Sequence, residues 1–119
     1  MVCVADENYE AMLRHYAHVL VGRVDSRSET ASGPEFRLSS IRVWKGDKKS
    51  IVLRNTNGTC GKYPAIGRVY LVFAASDPQD VTMCSPALGV WESRAKVAIT
   101  RLDRSRHLPP LSLPPEDLK

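Results

Sequence analysis

Gly58-Thr59-Cys60-Gly61-Lys62-Tyr63-Pro64-Ala65-Ile66-Gly67-Arg68-Val69-Tyr70-Leu71-Val72-Phe73-Ala74 joins a turn, a cysteine and the most apolar strand of the chain. Gly58, Gly61, Pro64 and Gly67 punctuate a loop. Val69 to Ala74 is an uncharged run of β-branched and aromatic residues, the composition of a strand buried on both faces. A cysteine therefore sits just ahead of a central strand.

Working outward, residues 5–16 place Tyr9, Met12, Leu13 and Tyr16 at helical spacing. Asp6 can accept a bond from first-turn amides and Glu7 lies near the positive helix end, so an amphipathic helix of about three turns is predicted. Ala17 to Asp25 reads as a strand whose Gly22 implies a bend or a close approach by another backbone. Ser26 to Pro34 reads as a loop. Glu35 to Trp44 is a second strand whose apolar phase shifts between Phe36/Leu38 and Ile41/Val43, which makes Ser39-Ser40 a candidate bulge. A turn at Lys45-Gly46-Asp47-Lys48 and a third strand over Ser50 to Asn55 complete a hairpin.

Beyond Ala74, Ser76 to Asp80 reads as a turn and Val81 to Cys84 as a short fifth strand. Trp91, Ala95, Ala98, Ile99 and Leu102 fit one face of a second helix, with a strand as the alternative because of Val97, Ile99 and Thr100. From His107 the paired prolines preclude helix or central strand, and an extended, mobile segment is expected. The chain thus divides into a domain over 1–103 and a flexible proline-rich tail over 104–119. The expected fold is mainly β: a five-stranded, partly open OB-like Greek-key barrel with flanking N- and C-terminal helices, a sandwich being the alternative.

A length of 119 residues suits one domain, with roughly 65% of the unfolded surface buried. Apolar residues at 43% and charged residues at 25% exclude a disordered or collagenous chain. The net charge of +4 permits anionic partners, but the 17 Lys and Arg nowhere form a run of five or six, so a solvated surface is the expectation. No stretch has the length of a membrane span. Three cysteines, Cys3, Cys60 and Cys84, allow at most one intramolecular disulfide.

Enzymatic chemistry finds little support. His15, His18 and His107 have no metal-ligand spacing with the cysteines, and the first two are expected at a helix end and a strand start. No cofactor is implied. Cys60 beside Lys62 could have a lowered thiol pKa, but a structural role is the simpler reading. Phe36, Trp44, Tyr63, Tyr70 and Phe73 could stack nucleic-acid bases on an OB fold, yet most lie within apolar strand patterns and are expected in the core. Asn57-Gly58-Thr59 fits a glycosylation sequon, a pattern short enough to recur by chance.

Val2-Cys3-Val4, the segment ending at Val24, Arg42-Val43-Trp44-Lys45-Gly46, Cys60-Gly61, Gly67 to Ala74 and Thr82-Met83-Cys84-Ser85 together resemble the netrin-like domain family. More narrowly, they are similar to the tissue inhibitors of metalloproteinases and their bacterial relatives, from Met1 to about Leu102. The resemblance implies a secreted, periplasmic or cell-envelope protein whose signal peptide has been removed, a non-enzymatic monomer that binds a protein partner. In the inhibitors two cysteines one residue apart open the chain, and the free amine and carbonyl of the first occupy the open position of a protease zinc. Carried over, the protease-binding wedge is Met1, Val2, Cys3 and Val4 beside Gly58 and Thr59.

The same correspondence implies a Cys3–Cys84 disulfide and an unpaired Cys60. Chain entropy does not choose, since closing Cys3 to either cysteine is worth about 4–5 kcal/mol. This sequence has Met1 where the first inhibitor cysteine stands, so the wedge lacks the tie that preorganises it. If Met1 replaces a native cysteine the tie is restored; if that cysteine is acylated as a lipid anchor, its amine is blocked. The expected function is an extracytoplasmic protein-binding module able to inhibit a zinc metalloproteinase through its N-terminal segment. The alternatives are an OB-fold binder of single-stranded nucleic acid or another anionic ligand, and a structural cell-envelope protein with no inhibitory activity.

Overall fold

The computed structural model describes residues 13–31, 33–46, 49–54, 64–74 and 88–119. Helical residues 13–15 (α1) lead into strands β1 (His18–Thr30), β2 (Gly33–Lys45), β3 (Ser50–Arg54), β4 (Val69–Ala74) and β5 (Leu88–Gly89). Helix α2 (Ser93–Ser105) and a 3-10 turn at Pro115–Leu118 follow. The fold is mainly β: one antiparallel five-stranded sheet in the order β3-β2-β1-β4-β5. Strands β1 to β3 form a meander and β4 returns beside β1, the Greek-key order. The sheet is open, with β3 and β5 at its edges. Among the described residues no helix is long and apolar enough to cross a membrane.

Strand β4 has the predicted bounds and is buried throughout. Its side chains alternate, as strand geometry requires. Val69, Leu71 and Phe73 join a core with Val19, Val21 and the inner face of α2. Tyr70, Val72 and Ala74 join an opposite core with Leu20, Val24, Phe36, Leu38, Ile51 and Leu53. The predicted helical face of Ala95, Ala98, Ile99 and Leu102 is the buried face of α2, which decides against a strand there. Trp91 precedes the helix and packs against both cores. Of the first predicted helix, residues 13–15 are described and are helical, and Leu13 and Tyr16 are buried.

The register shows why the apolar phase of β2 shifts. The ladder passes from Val21↔Arg42 to Gly22↔Ser40, leaving Ile41 as the extra residue, one position from the predicted bulge. Leu38 and Val43 consequently pack in one core although they are an odd number of residues apart, and Trp44 turns into the other. Gly22 sits at this irregularity, where an added Cβ would lie 3.0 Å from the Ser39 carbonyl oxygen: the close backbone approach expected from the sequence.

One expectation for the strands is revised. Residues 26–30 and 33–34, read as loop, are strand, and Thr30 pairs with Gly33 across a tight turn. The polar side chains of 26–30 suit a hairpin arm that is exposed from Asp25 to Thr30; backbone pairing, not burial, makes it strand. The fifth strand of the sheet is Leu88–Gly89, whereas the predicted strand over 81–84 lies outside the described residues.

Residues 104–119, expected as a mobile tail, finish α2 and then run extended across the structure, held at several points. The helix closes with a Schellman motif: His107 N donates to Arg104 O at 3.2 Å and Leu108 N to Asp103 O at 2.9 Å. His107 occupies the left-handed position, at φ 56, that glycine usually fills. Leu111 and Leu113 then pack against the α2-side core.

Asp103 joins these parts. Its side chain is buried, and its Oδ1 accepts from Arg42 Nη1 at 2.9 Å and from Trp44 Nε1 at 2.9 Å, while Oδ2 accepts from Leu111 N at 3.0 Å. One carboxylate thereby ties α2 to β2 and to the tail. Asp103→Ala leaves a cation, an indole N–H and an amide without their acceptor, and is expected to lower unfolding free energy by about 2–4 kcal/mol in urea titration. His107→Gly, which relieves the left-handed strain, is expected to raise it by about 0.5–1 kcal/mol.

Candidate functional site

Every residue of the expected wedge (Met1, Val2, Cys3, Val4, Gly58 and Thr59), together with Cys60 and Cys84, lies outside the described residues, as do Tyr63 and the sequon. The described segment that follows Gly58 and Thr59 in the sequence is the turn from Pro64 to Arg68, and it forms one rim of the sheet. Arg68 N donates to Ala65 O at 3.1 Å, closing a β-turn whose third residue, Gly67, has φ +87. Gly67 N donates to Val24 O at 2.8 Å and Val24 N to Arg68 O at 3.0 Å, so the turn is an outward extension of the β1–β4 ladder. Tyr70 Oη accepts from Ala65 N at 2.9 Å. Ile66, at the tip, is 62% exposed.

Two cationic side chains flank this turn. Arg68 lies with its guanidinium 3.7 Å from the ring centre of Trp91, which meets Tyr70 edge-on at 5.3 Å. Arg68 also donates to Lys119 O. Arg23 donates from Nη1 to Gly67 O at 2.9 Å and forms a two-pronged pair with Asp117, at 3.0 and 2.8 Å. The end of the tail is thus anchored on the rim. The hydrogen bond from Arg23 holds the Asp117 carboxyl below the usual carboxylate range, against the opposing effect of desolvation. The same bond raises the Arg23 pKa.

The histidines fall where the sequence places them: His15 ends the helical residues and His18 begins β1. His15 is exposed, and His18 is buried with an Nδ1 that has no hydrogen-bond partner. Among the described residues no three His, Cys, Asp or Glu side chains are grouped to hold a metal ion. Phe36, Trp44, Tyr70 and Phe73 are all buried, as their strand patterns predict. The rim offers an exposed aliphatic tip beside a guanidinium stacked on an indole, an arrangement suited to binding a surface. The sequence pointed to this loop through its glycines and Pro64. It gave no sign of the Arg23–Asp117 pair, whose members are 94 residues apart.

The Asp117 pKa is lower in the folded than in the unfolded chain, so the pair contributes stability above the ordinary carboxylate value of about 4 and loses it as pH falls through the lowered one. With Arg23 40% exposed, solvent weakens the contribution. Asp117→Asn is expected to lower the thermal midpoint at neutral pH. The gap from the unsubstituted protein should close in strongly acidic buffer, as followed by circular dichroism.

No protein-family model matches the chain, and no curated protein matches it at a significant level.

Proposed function

We propose that this chain is an exported, non-enzymatic binding module of the netrin and metalloproteinase-inhibitor kind, presenting its N-terminal segment to a protein partner. The observation that supports this reading is the strand order β3-β2-β1-β4-β5 with α2 packed on one face. An OB barrel has this order when cut open between its third and fifth strands, so pairing of β3 with β5 would complete one. The exposed turn at Ile66 adds a second candidate surface on the rim. In this reading Cys3 bonds Cys84, and inhibition of a zinc metalloproteinase requires a cysteine in place of Met1, bonded to Cys60. The nucleic-acid alternative loses support because four of its five stacking aromatics are in the core.

The test is mass spectrometry of the protein from its native source, mapping the first residue and the disulfides without reduction, followed by inhibition assays against zinc metalloproteinases. A first-residue cysteine bonded to Cys60, with inhibition about tenfold or more stronger than that of the Met1 form, is the expected outcome. A correctly paired protein that inhibits no protease tested would overturn the inhibitory mechanism.

A further inference from the structure

Residues 108–119 form an arm that leaves α2 through one exposed turn and is held by groups of the body. Leu108 and Pro109 each precede a proline, which biases them to extended backbone, and Pro114 is likewise extended at φ -55 and ψ 143. So stiff a segment does not curl back by itself. The change of direction after α2 falls on His107, which at φ 56 is the one non-glycine residue with positive φ among the described residues. Residues 104–110 are all exposed, so the two amides that close this turn, His107 N and Leu108 N, bond to water when it opens. Beyond the turn the arm is held at separate points: Pro109 O accepts from Arg42, Leu111 N donates to Asp103, Leu111 and Leu113 pack on the core, and Asp117 pairs with Arg23. None of these contacts requires that arm and body belong to the same molecule.

We infer that the groove under the arm is an interface for a second copy of this chain, filled when two molecules exchange residues 108–119. A second copy is favoured over a foreign peptide because the segment whose leucines and carboxylate fit this groove is the chain's own. The exchanged dimer repeats each contact between arm and body. It loses the freedom of two separate molecules and gains relief of the left-handed turn at two hinges, the circumstance in which a short, strained connection invites swapping. A short hinge presents the arm to its own groove at an effective concentration of the order of millimolar, so exchange is expected at about 0.1–1 mM protein and is lost on dilution to about 1 µM. The interaction does not depend on what the N-terminal segment binds. It would carry two such segments on one particle and so make a weak contact bivalent.

The experiment is sedimentation equilibrium and native mass spectrometry of the full chain across that concentration range. A dimer that dissociates on dilution, unlike one linked by a disulfide, is expected. His107→Val puts a β-branched residue where φ is positive and should tighten the dimer about tenfold, whereas His107→Gly relaxes the closed turn and should weaken it about tenfold. The decisive readout is complementation. R23D and D117R each oppose like charges at the rim of a single chain. When the two are mixed, exchange brings opposite charges together at both rims, so the heterodimer should form at a concentration about tenfold lower than either variant alone. The double variant R23D/D117R restores the pair within each chain and should dimerise as the unsubstituted protein does. A chain that stays monomeric at the highest concentration, in the unsubstituted and His107→Val forms alike, would assign the groove to its own arm and overturn the inference. Hinge variants that do not move the dimer in opposite directions, or a mixture with no preference for the heterodimer, would overturn it equally.

Discussion

The architecture depends on one buried carboxylate. Asp103 accepts hydrogen bonds from a guanidinium and an indole on β2 and from a main-chain amide of the tail, while its own carbonyl accepts the amide that closes α2. An ionised group out of water is tolerable only when its lone pairs are used, and here three donors converge on its two oxygens. Apolar packing alone could hold α2 against the sheet at a range of rotations. The Asp103 junction selects one, because Arg42 and Trp44 fix where along β2 the helix ends. Arg42 Nη1 also donates to Pro109 O at 2.6 Å, so the same junction sets the course of the tail.

Sequence periodicity resolves what is local. Val69 to Ala74 could be read as a doubly buried strand because its six residues carry the signal themselves, and Ala95, Ala98, Ile99 and Leu102 mark the inner face of α2 by spacing alone. Asp103 could not be read in this way. An acid flanked by Leu102 and Arg104 in a basic helix looks like a surface residue, and its partners are 61, 59 and 8 positions away. The course of the tail was unreadable for a related reason: its prolines disfavour long helix and central strand, but they do not prevent an extended segment from docking on side chains elsewhere. The polar arm over 26–30 was illegible because paired backbone, which leaves no compositional trace, holds it against Gly33 to Arg37.

The candidate site was legible to a different degree. Gly58, Gly61, Pro64 and Gly67 identified a loop ahead of the central strand, and its described end is indeed a turn that extends the β1–β4 ladder. The wedge itself rests on cysteines and an N-terminal segment outside the described residues. What pattern reading missed altogether is the distribution of charge. Counting Lys and Arg along the chain finds no run, yet the one acid among five cations in residues 93–107 is turned inward. Whether a helix is basic on its outer face depends on which of its charges the core consumes.

That dependence links the two ends of the structure. Asp103 compensates Arg42 inside the fold and is turned away from the exposed cations of α2. The tail it directs continues past Leu111 and Leu113 to Asp117, which compensates Arg23 at the rim beside Gly67. Both tethers remove a carboxylate from the surface and spend it on an arginine of the sheet. The tail therefore does more than cover apolar core. It fixes the turn at the start of β4, because the arginine that Asp117 holds also donates to Gly67 O.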